Sequence, residues 1–226
     1  MFPQGGLLGL SSCRALLQFV AACSTGAAFG SSLSILERHR RALGAISRSP
    51  WFYTSTGMGM WLVSETMGLV YAILEWSYHW LTPADLVWLI GCLVVLIGLW
   101  KGLRPLVKLV EEAGLGVLVK AVWAVSLVLG VVALISTAIG GAGLADVPRV
   151  IRAALALALL ALSLEGVALF YGGSAAKSMA AVSLGLVFLA LGALASVFVE
   201  ESLLRIAGYA LMAVGLYSYS KHVVVL

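Results

Sequence analysis

The sequence predicts an all-α fold: a polytopic transmembrane helical bundle of seven helices, or six if the first segment does not span. Three observations carry this. Of the 226 residues, 62% are hydrophobic and only 11% charged, whereas a soluble domain is about a quarter charged. The mean hydropathy is +1.08. The apolar residues fall in runs near the ~20 needed to cross the hydrocarbon core. Residues 1–226 read as a single transmembrane domain, with no length left for a soluble one.

The segments follow in order. Segment one covers about residues 5–35 and carries Arg14 within its apolar run. Its positive residue follows the apolar start, unlike a cleaved signal peptide. A basic connector, "LERHRRALGAISRSP", ends at Pro50. Segment two spans about 51–78 and segment three about 84–100. "KGLRPLVKLVEEAG" then places Leu103, Leu106, Val107 and Val110 on one helical face, as an amphipathic turn at a membrane surface. Segment four covers about 115–139, and "GGAGLADVPR" is a turn-rich loop. Segment five covers about 150–171, closed by "GGSAAK". Segments six and seven cover about 179–199 and 203–219, with Glu200 and Glu201 between them.

The basic residues predict an orientation. Arg38, Arg40, Arg41, Arg48, Lys101, Arg104, Lys108, Lys120, Lys177 and Lys221 fall on one side of this layout. Arg149, Arg152 and Arg205 fall on the other. Ten against three places the first side in the cytoplasm, with the N-terminus outside and the C-terminus inside a cell membrane. Trp51, Phe52 and Tyr53 mark one rim of segment two, and Trp76, Tyr78 and Trp80 the other. The net charge of +4 comes from these loops and implies no nucleic-acid partner. The expected partners are membrane lipids and other membrane subunits.

Several chemistries lack their residues. Cys13, Cys23 and Cys92 form no CxxC pair and read as small apolar side chains. His39, His79 and His222 all sit at loops or rims, so a bis-histidine haem site inside the bilayer is absent. No metal ligand set, nucleophile motif or phosphate loop occurs, so this chain is expected to bind no cofactor and to hold no catalytic centre of its own. The chain has no asparagine and two glutamines, Gln4 and Gln18. Scarcity of these thermolabile amides fits a thermophile's composition, while the Ala, Gly, Leu and Val richness also fits codon bias.

Glu65 stands out. It lies 14 residues into segment two in "GMGMWLVSETM", near the expected midplane. An ionisable group there is expensive, faces the bundle interior and marks a functional hypothesis. Glu165 lies inside segment five, and Glu75 lies near the rim of segment two. For Glu65 and Glu165 three roles stay open. One is a neutral carboxylic acid bonding a neighbouring helix. The others are a proton-relay or ion site, and a lipid or subunit contact.

Residues 57–67 resemble a helix of haem-copper oxidase subunit III, which reads Gly-Met-x-apolar-aromatic-apolar-Ala-Ser-Glu-x-Met in family form. Gly57, Met58, Ser64, Glu65 and Met67 match in identity; Met60, Trp61, Leu62 and Val63 match in character. The two following segments are similar in outline to the next helices of that family. The Phe-His-Gly-x-His and Trp-His-Phe-x-Asp helices of the family have no counterpart, since positions 80–221 contain no histidine. The resemblance implies an accessory subunit of a respiratory terminal oxidase, without a redox centre. Such a subunit flanks the catalytic subunit, binds lipid in a cleft and supports proton uptake. Haem and copper would then sit in partner subunits, and Ser64 would be the hydrogen-bond neighbour of Glu65. Two other classes compete. A proton- or cation-coupled transporter could be built from an inverted repeat of helices one to three and four to six. A scaffold subunit of another membrane complex would need no site at all.

Overall fold

The computed structural model describes residues 5–43, 48–76, 82–112, 147–169, 176–195 and 202–222, with nine separate positions between 117 and 135. Among the described residues the only regular secondary structure is α-helix. The helices are α1 (Gly5–Leu43), α2 (Arg48–Ile73), α3 (Pro83–Glu112), α4 (Val147–Leu169), α5 (Ala176–Ala195) and α6 (Ser202–His222). The positions described between 117 and 135 are helical and exposed, Trp123 and Leu127 among them. Two stretches among the described residues are long and apolar enough to cross a membrane. They are Ser12–Arg38 and Pro83–Pro105, with mean hydropathies of 1.5 and 2.2.

Several boundaries differ from the sequence reading. α1 continues to Leu43, through residues expected in the connector. α2 begins at Arg48, so Pro50 lies in its first turn, where a missing N–H breaks no helical bond. α3 does not stop at Trp100. It runs on to Glu112 and absorbs the expected amphipathic turn, with Pro105 inside it. Only one backbone bond is lost at Pro105, on a flank where Lys101, Arg104 and Lys108 are exposed.

Local chemistry explains where α2 stops and α3 starts. Glu75 adopts φ 51°, the left-handed conformation that follows many helices. Trp76 N donates to Tyr71 O at 3.0 Å, closing the helix end across Glu75. Glu75 is therefore an exposed helix stop. Tyr78, His79 and Trp80 lie outside the described residues. α3 opens on a reciprocal cap. Asp85 N donates to Thr82 Oγ1 at 3.1 Å, and Thr82 N donates to Asp85 Oδ2 at 3.0 Å. Pro83 follows the capping threonine, at the position where proline suits a helix best.

The described helices pack in a closed order. Each of α1 to α6 lies against the next, and α6 returns to α1. Glycines set the tightest crossings. A Cβ on Gly57 would lie 2.8 Å from Gly91 O, and one on Gly91 3.1 Å from Gly57 O. The α5–α6 crossing repeats this: Gly185 faces Gly208 O at 2.6 Å, and Gly208 faces Gly185 O at 2.8 Å. Seven residues further on, Gly98 meets Thr54 of α2, and Gly215 meets Ser178 and Val182 of α5. The hairpins α2–α3 and α5–α6 are thus alike, and they run in the same sense. The pattern extends to their neighbours, since α1 packs on α2 and α6 while α4 packs on α5 and α3.

One end of the bundle is basic. Arg38 of α1 donates to Ser220 O of α6 at 2.6 Å, which brings the C-terminal ends of these helices together. Lys101, Arg104 and Lys108 of α3, Lys177 of α5 and Lys221 of α6 lie toward the same end. The core between contains Trp61, Trp88, Tyr209, Met212 and Leu216, all buried.

Gly185→Ala is expected to cost about 1–3 kcal/mol, because its methyl would meet Gly208 O and Met212. Gly30→Ala, where nothing lies within 4 Å, should be neutral or stabilising by up to about 1 kcal/mol. Thermal unfolding of both variants in one detergent measures the contrast.

Candidate functional site

The site forms around Glu65, which is 1% exposed. Its immediate partners come from α1 and α6. Tyr209 Oη donates to Glu65 Oε1 at 3.0 Å. Arg205 Nη1 forms an ion pair with the same oxygen at 3.3 Å. Gln18 Nε2 donates to Glu65 Oε2 at 2.5 Å and reaches Glu65 O at 3.3 Å. Arg205 Nη2 closes the network by donating to Gln18 Oε1 at 3.4 Å.

α3 supports this core from behind. Trp88 Nε1 donates to Tyr209 Oη at 3.4 Å, orienting the hydroxyl that holds the carboxylate. Trp61 Nε1 donates to Trp88 O at 3.2 Å. Trp61 stacks on Trp88 with ring centroids 6.4 Å apart and lies 6.0 Å from the Tyr209 ring. Each aromatic N–H or O–H here thus has a partner, the condition for burying such rings. Gly68 makes room for Gln18, since a Cβ there would lie 2.6 Å from Gln18 Nε2.

The residues come together for simple reasons. Gly57, Met58, Trp61, Ser64 and Glu65 are all buried, while Val63 and Thr66 are exposed. That spacing is one face of a helix turned inward. Arg205 and Tyr209 are four apart on α6, so both point at one place. Arg205 is the fourth residue of α6, and Trp88 lies five residues into α3. The network therefore sits about 5–8 Å from these helix starts. Glu65 itself is eight residues from the end of α2. The carboxylate lies toward the end opposite the basic one, not midway along the helix as its position in segment two implied.

Ser64 is not the hydrogen-bond neighbour of Glu65. Neighbours in sequence on a helix diverge by about 100°, so both bury only by facing different helices. Ser64 Oγ donates to Ala84 O at 2.8 Å and ties α2 to the first turn of α3. Glu165 is buried on α4 and does not join the network. The adjacent Gly166 faces Ser183 of α5 and Leu103 of α3. Leu103 is 15 residues beyond Trp88, so the two carboxylates stand about 20 Å apart along α3. Glu75, exposed at the helix stop, is also separate.

Gln18, Arg205, Tyr209 and Trp88 were not singled out in the sequence. Gln18 is one of two glutamines and the only one inside an apolar segment. Arg205 looked like a loop cation beside Glu200 and Glu201. The usable signal was the Arg205–Tyr209 spacing on an apolar helix, given that a buried carboxylate demands a partner.

The arrangement neutralises a carboxylate and fixes it. Both its oxygens accept hydrogen bonds. Among the described residues no group of three or more His, Cys, Asp or Glu could hold a metal ion. Comparison with protein-family models, curated proteins and solved structures gave no match.

Removing one partner of a buried ion pair strands the other charge. Glu65→Leu and Arg205→Leu are each expected to destabilise by about 2–4 kcal/mol, less than a fully buried pair because Arg205 is 18% exposed. The double variant Glu65→Leu/Arg205→Leu should recover at least about half of the summed loss. A double-mutant cycle from denaturant unfolding tests this, and additive losses would contradict the pairing.

Proposed function

We propose that the chain is an accessory subunit of a membrane complex that carries no redox centre, of the kind represented by haem-copper oxidase subunit III. In this reading α1 to α6, with a further span through segment four, form a seven-helix membrane bundle, with the basic end in the cytoplasm. Haem and copper belong to the partner subunits.

The observation that carries the reading is the role of residues 57–67. The stretch that resembles subunit III is the one whose inward face holds Trp61, Ser64 and Glu65. Its polar bonds bind α2 to α1, α3 and α6. Glu65 serves there as an anchor that fixes the register of α1, α2 and α6.

The exterior supports a membrane setting. Leu16, Phe19, Ile90, Leu93, Ile97 and Val214 are exposed, while Glu65, Glu165 and several serines are buried. Large apolar surface outside and polar groups inside is the distribution that lipid solvates best. Buried hydroxyls fit the same setting. Thr25 and Thr54 donate to Ala21 O and Pro50 O one turn back, so each of these two buried hydroxyls has an acceptor within its own helix.

A transporter is the second reading, and Glu165 favours it, as a second buried carboxylate away from the network. The likeness of α2–α3 to α5–α6 runs in one sense, however, and so gives no support to an inverted repeat.

Two experiments separate these readings. Mild-detergent purification from native membranes should yield haem-containing partners, with an optical spectrum that the isolated chain lacks. Proteoliposomes of the isolated chain should show no proton or cation flux above empty vesicles. A colourless single-component preparation that moves protons, and stops doing so as Glu165→Gln, would replace the subunit reading with the transporter.

A further inference from the structure

We propose that the outward face of α3 is a binding surface for an anionic phospholipid of the leaflet at the basic end. The inference rests on the reading of the chain as membrane-spanning, and it concerns a different surface from the Glu65 site.

The surface is continuous. Leu86, Ile90, Leu93, Ile97 and Trp100 are all exposed on α3. Their spacings of three and four residues place them on one stripe. Lys101, Arg104 and Lys108 extend that stripe by the same spacings and are exposed too. The stripe therefore changes from purely apolar to cationic at Trp100. Eleven residues separate Leu86 from Ile97. That is about 16 Å of helix, close to half of a ~30 Å hydrocarbon core. The apolar part thus has the length of one leaflet's acyl chains, and the cations stand where headgroup phosphates lie.

The cationic end has a shape as well as a charge. Trp100, Lys101, Arg104, Pro105 and Lys108 line a recess of about 450 Å³. Lys101 is held to one side of it. Its Nζ lies 3.3 Å from Tyr53 Oη and 4.4 Å from the Tyr53 ring centroid. Held there by Tyr53, the ammonium loses less freedom on meeting a phosphate than a free lysine would. Arg104 supplies a planar fork suited to two phosphate oxygens, and Lys108 a further point charge. Trp100 sits at the boundary, the level at which tryptophan rings prefer a lipid interface. The charges select an anionic headgroup over a zwitterionic one, and the stripe above them takes the chains.

The test uses the full chain reconstituted from detergent into vesicles of phosphatidylcholine with phosphatidylglycerol. After mild re-extraction, the lipids retained per protein are counted by native mass spectrometry. The wild-type chain should retain phosphatidylglycerol over phosphatidylcholine by on the order of tenfold after correction for their mole ratio. The preference should fall as salt rises. Lys101→Gln/Arg104→Gln/Lys108→Gln should lose most of it. Arg38→Gln/Lys177→Gln/Lys221→Gln removes equal charge from the same end off this stripe, and should keep it. Equal loss in both triple variants, or no wild-type preference, overturns the proposal. Displacement of phosphatidylglycerol by millimolar inorganic phosphate overturns it too, because the recess would then recognise phosphate without the chains. Carbonate washing of wild-type vesicles separates the underlying reading. A chain that washes off was never membrane-spanning, whereas a chain that stays but shows no preference defeats the lipid surface alone.

Discussion

The fold turns on one carboxylate. Glu65 is enclosed by apolar helices, and a lone charge there would be strongly unfavourable. Arg205, Tyr209 and Gln18 remove that penalty only when α1, α2 and α6 are in register. The charge pair is weak as a source of net stability, since desolvating both groups offsets most of their attraction. Its effect is on specificity. A slip of α6 by one residue would turn Arg205 and Tyr209 by about 100° and leave Glu65 without donors. Apolar contacts alone would tolerate such a slip far better. Trp88 then conveys the constraint to α3, because its indole N–H can reach Tyr209 only from the first turns of a helix whose cap is already formed.

Glycine contacts make this register possible. At Gly57–Gly91 and Gly185–Gly208 the backbones approach closely enough that each glycine sits against the other's carbonyl. Where lipid surrounds a bundle, burial of apolar area supplies little drive for helix association. Close backbone packing and buried hydrogen bonds must supply it. In the membrane-spanning reading proposed above, the glycine crossings and the Glu65 network would be those two contributions.

Much of the helical architecture was legible. Among the described residues, the apolar runs located six helices, because composition decides where a chain can avoid water. Their ends were less legible. α3 runs through Pro105, since one lost bond on an exposed flank does not outweigh a long helix. α2 halts at Glu75 in a conformation that glycine would favour, and no glycine stood there to signal it. Glu65 was legible as a residue under constraint, because a carboxylate in an apolar run has few explanations. Its partners were not. They lie 47 and 140 or more residues away, and only the packing of α1 and α6 brings them together. Ser64 illustrates the limit, since the resemblance implied a bond to Glu65 that helix geometry directs to Ala84 O instead.

The likeness between α2–α3 and α5–α6 has a consequence for how a bundle of this kind can acquire a unique centre. Counted from the paired glycines, Trp88 of α3 corresponds to Arg205 of α6, and Cys92 corresponds to Tyr209. Two identical hairpins associating as separate molecules would carry the same residue at both places. They could hold two such centres or none. Covalent linkage of two similar halves breaks that equivalence. One hairpin can keep a small, buried cysteine where the other places a phenol. A single polar centre can then form between two hairpins whose glycine crossings are alike.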